Sequence, residues 1–159
     1  MRAAKFFQLT PPGPGPIMPA MTDGYEFFEH TADIGVRVFG RSLPDLFANA
    51  TKAMYAALGE WTTGERVTRQ ISLPAGTHED LLHDWLSELL FEFETRRLVF
   101  DHFEFTQLDD AGLKATVTGG IVELARSRPH EEIKAVTYHQ LRVERGPGGQ
   151  WRANVIFDV

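Results

Sequence analysis

The feature that most constrains this chain is a repeated change of hydrophobic period: two stretches carry apolar residues at helical spacing, and the segments around them alternate in twos. Tyr25–Glu29 is a short apolar-rich strand candidate, and Gly35–Phe39 alternates cleanly. Ser42 then offers an N-cap, with Pro44 and Asp45 in the first turn of a helix. Leu43, Leu46, Phe47, Ala50, Met54, Ala57 and Leu58 form its apolar stripe, and Gly59 reads as its C-cap. Alternation returns over Val67–Leu73 and stops at Pro74-Ala75-Gly76. Thr77 and Asp80 make a capping pair for a second helix, whose stripe is Leu81, Leu82, Trp85, Leu86, Leu89, Leu90 and Phe93. After Arg97 the pattern predicts strands at about 98–108, 112–123, 131–145 and 150–158. Turns are expected at Asp109–Gly112 and at Gly146–Gly149. The predicted class is α+β: one domain with a mixed or mainly antiparallel sheet and two helices packed on one face.

Residues 1–20 hold five prolines and two glycines between Pro11 and Pro19, which suits neither a ladder nor a helix, so a disordered or extended segment is expected there. The apolar core of a secretory signal is missing from it. Met21 is read as the functional start, and residues 21–159 as the folded domain. No apolar run approaches the roughly 18 residues of a membrane span. The chain has no cysteine, which removes disulfides, thiolate zinc sites and cysteine nucleophiles, and fits a cytoplasmic protein. Acidic residues number 22 against 16 basic ones, a formal charge of −6, with no Lys or Arg block. Unaided binding of RNA or DNA requires basic side chains to neutralise several phosphates. Any RNA this chain serves is therefore expected to be held by a partner.

Three places resist a purely structural account. His30-Thr31-Ala32-Asp33-Ile34-Gly35 lies in a short connection between strand candidates, where an aspartate commonly makes an Asx-turn or a cap. Asp158 ends the run Val155-Ile156-Phe157 and is followed by the Val159 α-carboxylate; fraying in water is the ordinary fate of such an end. Lys134 enters an alternating strand, where pointing to solvent is usual. Geometry links the last two. A hairpin closed by Gly146-Pro147-Gly148-Gly149 places Arg145 opposite Gln150, Asp158 opposite Thr137 and Val159 opposite Val136. Lys134 is then within reach, although on the other face unless a bulge intervenes. If Asp33 also reached that end, three carboxylates and a lysine would converge. Oxygen donors of this kind suit Ca²⁺, Mg²⁺ or Mn²⁺. Such an ion would offset a repulsion of about 4 kcal/mol per pair at 4 Å and an effective dielectric of 20. Among the histidines only His30, three residues before Asp33, has a neighbour to support. No phosphate-binding glycine loop and no complete catalytic constellation emerge.

Taken together, Tyr25-Glu26-Phe27-Phe28-Glu29-His30-Thr31-Ala32-Asp33-Ile34-Gly35, the helix after it, Lys134-Ala135-Val136-Thr137-Tyr138-His139 and the terminal Phe157-Asp158-Val159 resemble the archease family, from about residue 24 to the end. The resemblance implies a protein cofactor rather than an enzyme. It would promote guanylylation and multiple turnover of an RtcB-type RNA ligase in tRNA splicing and RNA repair. It implies Asp33, Asp158 and Val159 as ligands of a divalent metal, calcium first and magnesium or manganese as alternatives. It also implies Lys134 as the lysine that assists the ligase. RNA would be met only through that ligase, with no DNA and no membrane involved. One rival is a metal-dependent phosphohydrolase acting on nucleotides or RNA, which would need further carboxylates. Another is a general chaperone-like binder, which predicts an exposed apolar patch and no metal dependence.

Overall fold

A computed structural model describes residues 24–159; the extension expected over residues 1–20 and the start expected at Met21 lie outside the described residues. The chain divides into two compact units. One takes the N-terminal part to Ala53 together with Ile133–Val159, and the other is Met54–Glu132.

The first unit is built on strands β1 (Tyr25–His30), β2 (Asp33–Gly40), β8 (Ala135–Val136), β9 (Arg142–Arg145) and β10 (Trp151–Asp158). β1 pairs with β2 and β2 with β10. Both β8 and β9 pair with the other side of β10, and every pairing is antiparallel. Alternation decides what is inside: Val36, Val38, Val155 and Phe157 have no exposed surface, while Arg37 between the two valines is exposed. Helix α1 (Leu43–Leu58) starts in this unit. Ser42 Oγ accepts the Asp45 N–H at 3.2 Å, and Asp45 in return accepts the Arg41 N–H at 2.9 Å, so the predicted cap forms reciprocally. The first turn lies so close to β2 that a Cβ on Gly40 would strike the Leu46 backbone. Asn49 ties helix to strand by donating to the Phe39 carbonyl at 2.7 Å.

In the second unit β4 (Thr63–Leu73), β5 (Leu98–Asp109) and β6 (Gly112–Val122) form an antiparallel sheet ordered β4–β6–β5. Helix α2 (His78–Arg96) is packed on it. β3 (Gly59–Glu60) and β7 (Arg128–Pro129) make a separate short ladder. The Thr77/Asp80 capping box opens α2, and Arg97, with φ 57°, closes it in the left-handed region. Trp85, Leu82, Leu86 and Leu89 are fully buried, as the helical stripe requires.

The described residues are α+β with two α-helices and antiparallel sheets, as expected, with the strands divided among three sheets. The β3–β7 ladder was not expected, and one expected strand is broken up. The strand expected at 131–145 survives only as β8 and β9, because residues 137–141 leave the ladder. Gln140 takes φ 55°, and the Leu141 N–H turns back to the Tyr138 carbonyl at 3.1 Å. The register moves with that excursion. Arg145 is opposite Trp151, while Val136 is opposite Phe157 and Ala135 opposite Asp158. The expected facing of Asp158 with Thr137 and of Val159 with Val136 is therefore replaced. Gly59 directly follows α1 and opens β3.

Candidate metal centre

The site grows out of the β1–β2 hairpin. Its two strands reach further than local pattern indicates, so the connection shrinks to Thr31 and Ala32, with Ala32 in the left-handed region at φ 60°. Asp33 is thereby a strand residue opposite His30, where an Asx-turn or a cap was the ordinary expectation. β10 lies on the other side of β2 and places Asp158 directly opposite Asp33. Ala135 of β8 completes the row. Directly opposed residues of an antiparallel pair share a face, with Cβ atoms about 4.5–5.5 Å apart. The sheet thus holds two carboxylates side by side, from residues 125 positions apart in sequence.

The surroundings are polar and partly open. Asp33 is 27% exposed, and Asp158 is exposed. His30 Nδ1 stands 3.5 Å from Asp33 Oδ2 without forming a hydrogen bond, and it is otherwise buried and unsatisfied. The His139 ring meets the His30 ring edge-on, with centroids 5.4 Å apart. Local pattern leaves His139 without a partner because the contact depends on the excursion at 137–141. The Lys134 N–H donates to the Asp158 carbonyl at 2.7 Å, which fixes the lysine backbone beside the acid pair. The Lys134 side chain is exposed, and among the described residues no carboxylate pairs with its ammonium. Val159 follows Asp158 and is partly exposed.

Like charges directly opposite on neighbouring strands destabilise a sheet. Among the described residues no cationic side chain pairs with Asp158, and no three His, Cys, Asp or Glu side chains form a group that could by itself hold a metal ion. Asp33 and Asp158 offer carboxylate oxygens from one face of the sheet. Oxygen donors of this kind suit a hard divalent cation better than zinc or copper.

Fold and site define a class: small α+β proteins whose antiparallel sheet ends in a cross-strand aspartate pair flanked by a lysine. The family model for the archease protein family (MTH1598/TM1083) matches residues 25–159, and the chain belongs to that family. The protein archease of Methanosarcina mazei is 39% identical over 149 residues, spanning 89% of this chain and 100% of that relative. That of Pyrococcus abyssi is 34% identical over 139 residues, with 85% and 98% covered. Among solved structures, protein 1598 of Methanobacterium thermoautotrophicum superposes with a TM-score of 0.69 at 32% identity, over 86% of this chain and 99% of that one. A Thermotoga maritima archease described as a possible chaperone gives 0.60 at 25% identity, over 83% and 94%.

Proposed function

We propose that this chain is a metal-binding accessory protein that promotes guanylylation of an RtcB-type RNA ligase and lets that ligase turn over repeatedly. The observation that carries this reading is the Asp33–Asp158 pair on adjacent strands with the Lys134 backbone bonded to Asp158. Asp33, Asp158 and the Val159 carboxylate would hold a divalent ion, calcium first, and that ion would supply positive charge for a nucleotide triphosphate. Lys134 adds a second cation with no carboxylate partner of its own among the described residues. Backbone pairing keeps Asp33, Asp158 and Lys134 close together, which supports a contribution to the ligase through orientation and charge stabilisation without a covalent step.

The test is transfer of labelled GMP from GTP to a cognate ligase, with and without this protein. Asp33→Ala, Asp158→Ala and Lys134→Ala are each expected to lower the stimulated rate at least tenfold while keeping the melting temperature within a few degrees. Full stimulation by both aspartate variants refutes the role. A fixed stoichiometry of bound metal, lost in both, separates this reading from general chaperone-like binding.

A further inference from the structure

The face that carries Asp33 and Asp158 continues along the same strands into a second feature. Directly opposed residues share that face, so the pairings give Arg37, Asn154 and Arg142 as one row across β2, β10 and β9, and Phe39, Arg152 and Glu144 as the next. These six residues line a cleft of about 300 Å³. Three guanidinium groups meet one carboxylate there, in a chain whose formal charge is −6. Arg37 is partly engaged: it pairs with Glu26 at 3.2 Å and lies 4.6 Å over the Phe28 ring. Arg142 and Arg152 are exposed, and among the described residues neither pairs with a carboxylate. We propose that this cleft binds the backbone of single-stranded RNA, seating one nucleotide.

The kinds of side chain present favour RNA over an acidic protein segment. Guanidinium forks match phosphate oxygens bidentately. The partly exposed Phe39 ring offers a stacking surface, and the Asn154 amide between two arginines can read a base edge or a 2′-hydroxyl. An acidic peptide has no use for the aromatic wall. With only three guanidinium groups the contact is weak alone and adds to whatever else holds the strand. The acid pair lies four residues further along both β2 and β10, about 13 Å at 3.3 Å per residue.

The test needs neither ligase nor metal, so its outcome is independent of the reading above. Anisotropy of a fluorescein-labelled ten-nucleotide oligouridine is measured against the full chain in EDTA at 50–300 mM salt. Two phosphates flanking one nucleotide, neutralised by Arg142 and Arg152, predict a slope of log affinity against log salt of about −1.4. Arg142→Gln and Arg152→Gln should each weaken binding several-fold and flatten that slope by about 0.7. The double variant should lose at least tenfold and keep the wild-type melting temperature, since both side chains are exposed. Absence of binding at 50 mM salt, equal affinity and slope in the double variant, or displacement of the RNA by decaglutamate at equal concentration overturns the proposal. The last result would assign the cleft to acidic protein segments.

Discussion

Asp33 and Asp158 sit opposite one another on neighbouring strands, a placement that works against the sheet in the absence of a cation. Removing one charge should therefore act in opposite directions in two solutions. Asp158→Asn is expected to raise stability by about 0.5–1 kcal/mol in EDTA. In millimolar calcium it should fall below wild type, which alone gains the binding free energy. Thermal melts of both proteins in both buffers check this; the same rank order in each would show that no cation bridges the pair. His139 meets the ring of His30 edge-on, and His30 stands beside Asp33. His139→Ala should weaken calcium binding several-fold by calorimetry, whereas His139→Phe, which keeps the ring contact, should restore it. Equal loss in both would assign His139 a different role. In the other unit, burial pushes the Tyr55 phenol well above its ordinary 10.0, and the charges of Glu92 and Asp101 push the same way. Its hydroxyl forms no well-aligned hydrogen bond. The folded chain thus keeps this proton where the unfolded chain releases it. Stability is fully present below about pH 10 and declines above it, by about 1.4 kcal/mol at pH 11. Tyr55→Phe should remove that share of the alkaline decline, as urea midpoints at pH 8 and pH 11 will show.

Elements with their own local code were legible in the sequence. Helix α2 is one: its stripe has period 3.6, and its start is written in Thr77 and Asp80, which form both hydrogen bonds of a capping box. Thr77→Ala should cost about 1 kcal/mol and lower the melting temperature by about 2–4 °C, measured by calorimetry. Elements whose geometry depends on a distant partner were not legible. Residues 137–141 carry no glycine or proline to mark a turn, and Gln140 enters the left-handed region without one. The departure is visible only against the register of β10, and it moves Asp158 from Thr137 to Ala135. Asp33 shows the same dependence. The window His30–Gly35 reads as a loop, yet pairing with both His30 and Asp158 makes Asp33 a strand residue. Proximity of Asp158 to Lys134 could be derived from chain counting, whereas that of Asp33 could not. The row His30–Asp33–Asp158–Ala135 could not, because it joins four strands from the two ends of the chain. Gly35 in that hairpin did carry a readable constraint: a Cβ there would strike the Phe28 ring opposite it.

On the scale of the whole chain, charge sets how a partner is met. A formal charge of −6 favours encounter with a basic surface, and a ligase that binds RNA presents one. The association rate with such a ligase should then fall several-fold between 50 and 500 mM salt while dissociation changes little, which stopped-flow fluorescence can separate. The arginine cleft sharpens this expectation. If the acidic end of the sheet face meets the ligase, the guanidinium groups about 13 Å away are like-charged with the partner and oppose the approach. Arg142→Gln with Arg152→Gln makes the chain more acidic by two charges, from −6 to −8, without touching the aspartates. That variant should associate with the ligase as fast as wild type or faster, while its RNA contact is lost. Slower association would mean that the cleft itself docks on the ligase, and the division of the face into an acidic docking end and a basic RNA-binding end would have to be abandoned.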